Sequence, residues 1–180
     1  MGKINFQTVA MKRLDQQLDE RFPTISFDLL DEFDYEILKT SYCYQVCEEN
    51  LDMPAEIERQ RISAEQYGSM LRSYFDRFKQ DNHQVYTDDI CAEANIQRTH
   101  LYKILKGERR PSRDLAIAFC FVFKMTIQES QNHILLLGEQ LNENIKRDFI
   151  ILFGLRNKHD LDSINEILEH YDERPLIDLQ

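Results

Sequence analysis

Residues 115–122, Leu-Ala-Ile-Ala-Phe-Cys-Phe-Val, are apolar almost all round any helix they form. A helix with no polar face cannot lie at a surface, so the rest of the chain has to supply helices around it. Ser112 opens this buried helix as its N-cap, with Asp114 close behind, and the pattern runs through Phe123. Thr126 then caps a following helix, with Glu129 three residues on to complete a capping box. Ile134, Leu135, Leu136 and Leu137 close the core before Gly138.

The composition agrees with a helical chain. Among 180 residues there are 5 glycines and 4 prolines, while 30% are charged. That length holds one domain plus a substantial extension, with enough apolar side chains for a core that needs no staples. No run has the length of a membrane span, and the first residues contain no apolar signal segment, so a soluble, cytoplasmic protein with no membrane partner is expected. Cys91 and Cys120 fall within apolar helical patterns. Cys43 and Cys47 are one turn apart, but no second Cys or His pair stands at zinc-finger spacing, so neither a metal site nor a cofactor is expected, only free thiols.

Upstream of the buried helix, Tyr67, Leu71, Phe75 and Phe78 form one helical stripe beginning at about Ala64, widened by Met70 and Tyr74. Residues 85–113 then read as two short helices joined by a tight turn and followed by a basic tail. Thr87 is the expected N-cap of the first, with Asp88 and Asp89 in its first turn and Ile90, Cys91 and Ala94 on its buried side. Asn95 tolerates the left-handed backbone that the turn needs. The second helix starts at about Gln97 and buries Leu101, Ile104 and Leu105. Gly107 is placed for a positive-φ cap, and Pro111 prevents the helix from resuming.

The run from Asn95 to Ser112, NIQRTHLYKILKGERRPS, resembles the phage-repressor-like (Cro and Xre type) helix-turn-helix family, whose pattern is roughly G-I-S-x-x-x-I-S-x-I-x-x-G-x-R-x-P-S. The match covers roughly residues 65–138 and is most specific over its GERRPS tail. Asn95 stands where the family has its turn glycine, Cys91 where it usually has alanine, Thr87 where a glutamine often opens the first helix, and Leu105 where a glutamate is common. The resemblance implies a five-helix DNA-binding module. The segments RDFIILFGL and NEIL, within 147–168, are similar to a C-terminal extension of some bacterial regulators in this family, which implies one further helix pair.

The expected fold is therefore all-α: a five-helix repressor-like helix-turn-helix module over 64–138, with helical extensions over 1–63 and 139–180. The formal charge of −10 is unevenly divided. Residues 64–138 carry ten basic and nine acidic side chains, 1–63 carry seven and thirteen, and 139–180 carry five and ten. Within 98–113 six basic residues face a single acid, Glu108. Charges more than about 8 Å apart are largely screened at physiological salt, so the local patch governs phosphate binding.

The residues assigned to base reading are Gln97, Arg98, Thr99, His100, Tyr102 and Lys103. Those assigned to phosphate are Thr87, Lys106, Arg109, Arg110 and Arg113. The five histidines are scattered, and neither a nucleophile motif nor a glycine-rich phosphate loop is present, so catalysis is not expected. The leading expectation is a sequence-specific regulator of transcription that binds double-stranded DNA as a homodimer. The alternative is a protein-interaction module of the same fold that does not bind DNA.

The flanks are less specific. Met11, Leu14 and Leu18 give a short helix ending before Pro23. Residues 27–46 read as an acidic, aromatic-rich helix with Leu29, Phe33, Ile37 and Leu38 on one side, and 48–61 as a connection. The acidic residues Asp28, Asp31, Glu32, Asp34 and Glu36 either lie on the outer face of a helix packed in its own domain, or dock on a basic protein partner or on the Arg109–Arg113 patch. Toward the C-terminus, Ile145, Phe149, Ile150, Leu152 and Phe153 form a helix stopping at Gly154, and Asp160 caps a last one carrying Ile164, Ile167 and Leu168. So much apolar surface is assigned to a dimer interface, the other outcome being that these helices pack on residues 1–63 of the same chain.

Overall fold

The computed structural model describes residues 9–22 and 62–177, which form eight helices and no strand. In chain order these are α1 (Val9–Arg21), α2 (Ala64–Asp81), α3 (Thr87–Glu93), α4 (Arg98–Leu105), α5 (Arg113–Val122), α6 (Ile127–Leu135), α7 (Lys146–Arg156) and α8 (Leu161–His170). The expectations for 27–46 with its acidic face, for Cys43 and Cys47, and for the connection at 48–61 lie outside the described residues.

Local chemistry accounts for most helix starts. Ser63 and Gln66 form a reciprocal capping box at α2, and Thr126 and Glu129 form another at α6. Ser112 accepts from the Leu115 amide at 3.3 Å, and Asp160 accepts from Ser163 at 2.8 Å. Each such cap is worth about 1 kcal/mol. The start of α3 differs from expectation. Tyr86 takes the extended cap position and donates its amide to the Asp89 carboxylate at 2.7 Å, so Thr87 becomes the first helical residue.

All eight residues from Leu115 to Val122 are buried, as their sequence demands. α6 and α8 pack on α5, α2 and α3 pack on α4, α7 joins α6 and α8, and α1 lies on α7. Phe123, just past the end of α5, gathers the rings of Phe75, Phe78 and Phe119, with centroids 5.6–6.3 Å away. Each side chain buried in this way contributes roughly 1.5–3 kcal/mol.

The C-terminal helices overturn two expectations. Gly154 does not stop α7 but lies inside it, where a Cβ would come within 2.6 Å of Ile164 Cδ1 and 3.3 Å of Phe121 Cε1. It is a seat for α8 on α7 and α5. Phe149, Ile150, Leu152, Phe153, Ile164, Ile167 and Leu168, assigned to an oligomer interface, are all buried within the chain. α1 covers part of them: Met11, Leu14 and Leu18 are buried, the Phe22 ring meets Phe149 edge-on at 6.1 Å, and the Arg21 guanidinium lies 4.8 Å over the same ring.

Two crossed ion pairs tie α5 to α7. Arg113 Nη2 donates to Asp148 Oδ2 at 2.7 Å, and Arg147 Nη1 donates to Asp114 Oδ1 at 2.9 Å. The same Arg-Asp dipeptide lies in the first turn of both helices, and each arginine reaches the other's aspartate. Asp148 is buried and also accepts from the Asn142 amide at 3.0 Å, while Arg113 donates further to the Gln140 carbonyl at 3.0 Å. Arg113 was expected on phosphate; its guanidinium is instead committed to this internal network.

Removing one partner of a largely buried pair strands the other charge. Asp148→Ala is therefore expected to cost about 3 kcal/mol, readable as a lowered denaturation midpoint. A variant within 0.5 kcal/mol of wild type, on the order of an unremarkable surface substitution, would show that the pair does not hold α7.

Burial drives His133 down to about 4, offset only in part by the Ala116 backbone, and its Nε2 shares a hydrogen bond with the Tyr67 hydroxyl at 2.8 Å. The unfolded chain binds a proton there near pH 6.5 and the folded chain does not, so stability falls as pH drops from 6.5 towards 4. This amounts to about 2 kcal/mol between pH 7 and pH 5. Paired melts at those two pH values should show a smaller difference for His133→Gln than for wild type.

Candidate nucleic-acid interface

α3 and α4 have seven and eight residues, too short to persist alone in water. Their turn is made locally. Asn95 adopts φ +46°, and the Asn95 and Ile96 amides donate back to the Ala92 and Cys91 carbonyls at 3.1 and 2.9 Å. Asn95 thus does what the sequence requires of it. Leu101, Ile104 and Leu105 turn inward, leaving the opposite side of α4 exposed.

Two glycines set how closely α4 approaches α2. A Cβ on Gly68 would lie 2.5 Å from the Ile104 carbonyl oxygen, and one on Gly107, at φ +74°, would lie 2.4 Å from the Glu65 Cα. Arg72 of α2 donates to the Leu105 carbonyl at 3.2 Å, satisfying one of the acceptors at the end of α4. The short helix is therefore clamped by backbone contact and does not rely on its own propensity.

On the exposed side, Arg98, Thr99, Tyr102, Lys103, Lys106 and Glu108 line one open depression of about 490 Å³. Four residues assigned to base reading are thus brought together with one assigned to phosphate. Gln97 is the exposed N-cap of α4. His100 departs from the group: it is half-buried, its Nε2 is enclosed without a partner, and burial, followed by Arg109 and Lys103, lowers its pKa.

The phosphate set changes more. Lys106 and Arg109 are exposed, whereas Arg110 is half-buried with one guanidinium nitrogen enclosed. Arg113 belongs to the α5–α7 network. Thr87 is buried, which leaves too little surface for the expected phosphate contact; its hydroxyl instead helps to lower the pKa of Tyr102. The reason is its place in the first turn of α3, directed at α4.

The same turn supplies a residue that sequence reasoning passed over. Asp88 reaches Arg98 Nη1 with both carboxylate oxygens, at 3.2 and 3.4 Å, and the Arg98 guanidinium lies 5.7 Å from the centre of the Tyr102 ring. Hydrogen bonds from Arg98, then Thr87, hold the Tyr102 hydroxyl below its ordinary pKa. Tyr86, the N-cap of α3 and 73% exposed, was also missed. The spacing of Asp89 three residues after Tyr86 is the capping signal that could have placed Tyr86 at the N-cap.

Among the described residues no cluster of three or more His, Cys, Asp or Glu side chains could hold a metal ion, and no helix is long and apolar enough to cross a membrane. Comparison with models of protein families, with curated proteins and with solved structures finds no match.

Gly107→Ala adds a Cβ to a positive-φ position and directs it at the Glu65 backbone. It should destabilise the fold by about 2 kcal/mol or more, measured by chemical denaturation. An effect below 0.5 kcal/mol, roughly that of a surface change, would contradict the close α2–α4 contact.

Proposed function

We propose that this protein is a sequence-specific double-stranded-DNA-binding regulator of transcription, of the Xre and Cro helix-turn-helix type, with no catalytic role. The observation that carries the reading is the exposed face of α4, where Arg98, Thr99, Tyr102 and Lys103 share one depression with Lys106. A short helix held rigidly, with its cation-bearing side outward, suits entry into a major groove. Arg98 and Lys103 donate to guanine O6 and N7, Thr99 meets a thymine methyl, and Gln97 contributes at the helix start. Lys106, Arg109 and Arg110 bind phosphate, which adds affinity without sequence information.

One α4 spans few base pairs, so the active form is a homodimer on a twofold site. Its interface lies outside the buried apolar residues of α7 and α8. The second reading, a protein-interaction module, is favoured by two acids on the face itself, Asp88 and Glu108.

Binding to random duplex, titrated with salt, separates the two. Affinity should fall steeply as salt rises, and Arg109→Ala should weaken all sequences alike while reducing the log–log slope by about 0.9. Salt-independent binding would remove the basic loop from phosphate contact. No binding at low salt would favour the protein-interaction reading.

A further inference from the structure

Asp88 is an acid on a face whose other charges are mostly cationic, and it stands on α3 while its partner Arg98 stands on α4. Both side chains are well exposed, 72% for Asp88 and 56% for Arg98. An exposed pair of this kind contributes little to stability, so the fold does not depend on it. On a surface that meets a polyanion, a carboxylate weakens binding to every sequence. That general loss is offset only if the acid improves discrimination.

We propose, resting on the DNA-binding reading above, that Asp88 is a specificity-determining residue: it withholds the Arg98 guanidinium from phosphate and reserves it for the O6 and N7 edge of guanine. An unrestrained arginine on this face has phosphates available at every base step, whatever the sequence. With Asp88 against Nη1, the charge that phosphate would attract is already largely neutralised, and the carboxylate repels the phosphate itself. A guanine edge presents two neutral acceptors. It needs only two of the five guanidinium N–H donors, so a base contact and the hold of Asp88 coexist.

The surrounding contacts favour the same outcome. The Arg98 guanidinium lies 5.7 Å from the centre of the Tyr102 ring while Asp88 of α3 holds its Nη1, so a group on each of the two helices restrains it. A planar donor set restrained from two helices loses less rotamer freedom on binding a base. Lys103 and Lys106 share the depression with Glu108, but among the described residues neither forms an ion pair, and both serve any phosphate within reach.

The test uses the full chain and a duplex selected by the wild-type protein from a randomised pool, alongside unselected random duplex. Asp88→Asn should bind random duplex more tightly, yet the ratio of selected to random affinity should fall about tenfold, with loss of a guanine preference at one position. Asp88→Glu should retain the ratio. In an Arg98→Ala background, Asp88→Asn should leave the ratio unchanged. Thermal melting verifies that each variant is folded, since the α3 cap uses Asp89. If Asp88→Asn tightens both duplexes equally, or lowers the ratio as much without Arg98 as with it, the role proposed for Asp88 is overturned. Wild-type protein that binds no duplex at low salt would overturn the underlying reading instead.

Discussion

The crossed pairs between Arg113 and Asp148 and between Arg147 and Asp114 tie the start of α5 to the start of α7. They are placed at the first turns of α5 and α7, so each arginine fixes the start of the other helix. Once α7 is positioned, Gly154 admits Ile164 and Phe121, α8 closes over α5, and α1 finds its groove on α7. Arg147 also donates to the Arg174 and Pro175 carbonyls, which draws the chain after α8 into the same network. The cost of burying the Asp148 carboxylate is offset because its oxygens receive both a guanidinium and a backbone amide.

The network bears on the candidate interface through Arg113. The basic run from Lys106 to Arg113 has two ends with different duties. Its first part lies on the exposed side of α4, whereas its last cation is committed to Asp148 and Gln140. Anchoring that last residue to the core sets where the loop over 106–112 begins to turn inward, and Gly107 against Glu65 sets where it leaves α4. The loop is thus fixed at both ends, which would suit the phosphate contact proposed for it.

Charge on the candidate face is locally ordered although the chain as a whole is strongly acidic. Asp88 is matched to Arg98, Glu108 lies among Lys103 and Lys106, and Arg109 stands near His100. Over distances of about a Debye length, this arrangement matters more than the total of −10.

Local backbone chemistry was legible in the sequence by itself. The caps at Ser112, Thr126 and Asp160, the left-handed turn at Asn95, the positive φ at Gly107 and the full burial of residues 115–122 each depend on groups within a few positions along the chain. The exposed set Arg98, Thr99, Tyr102 and Lys103 followed from helical periodicity alone. Only the tertiary structure decided what Arg113, Thr87, Asp88 and Gly154 do, because their partners lie 35, 15 and 10 residues away or on a separate helix. It likewise decided that the apolar residues of α7 and α8 meet α1 and α5 of their own chain. Sequence patterns specify which side of a helix is apolar, but not which surface covers it, because that choice depends on shape and charge brought together from distant parts of the chain.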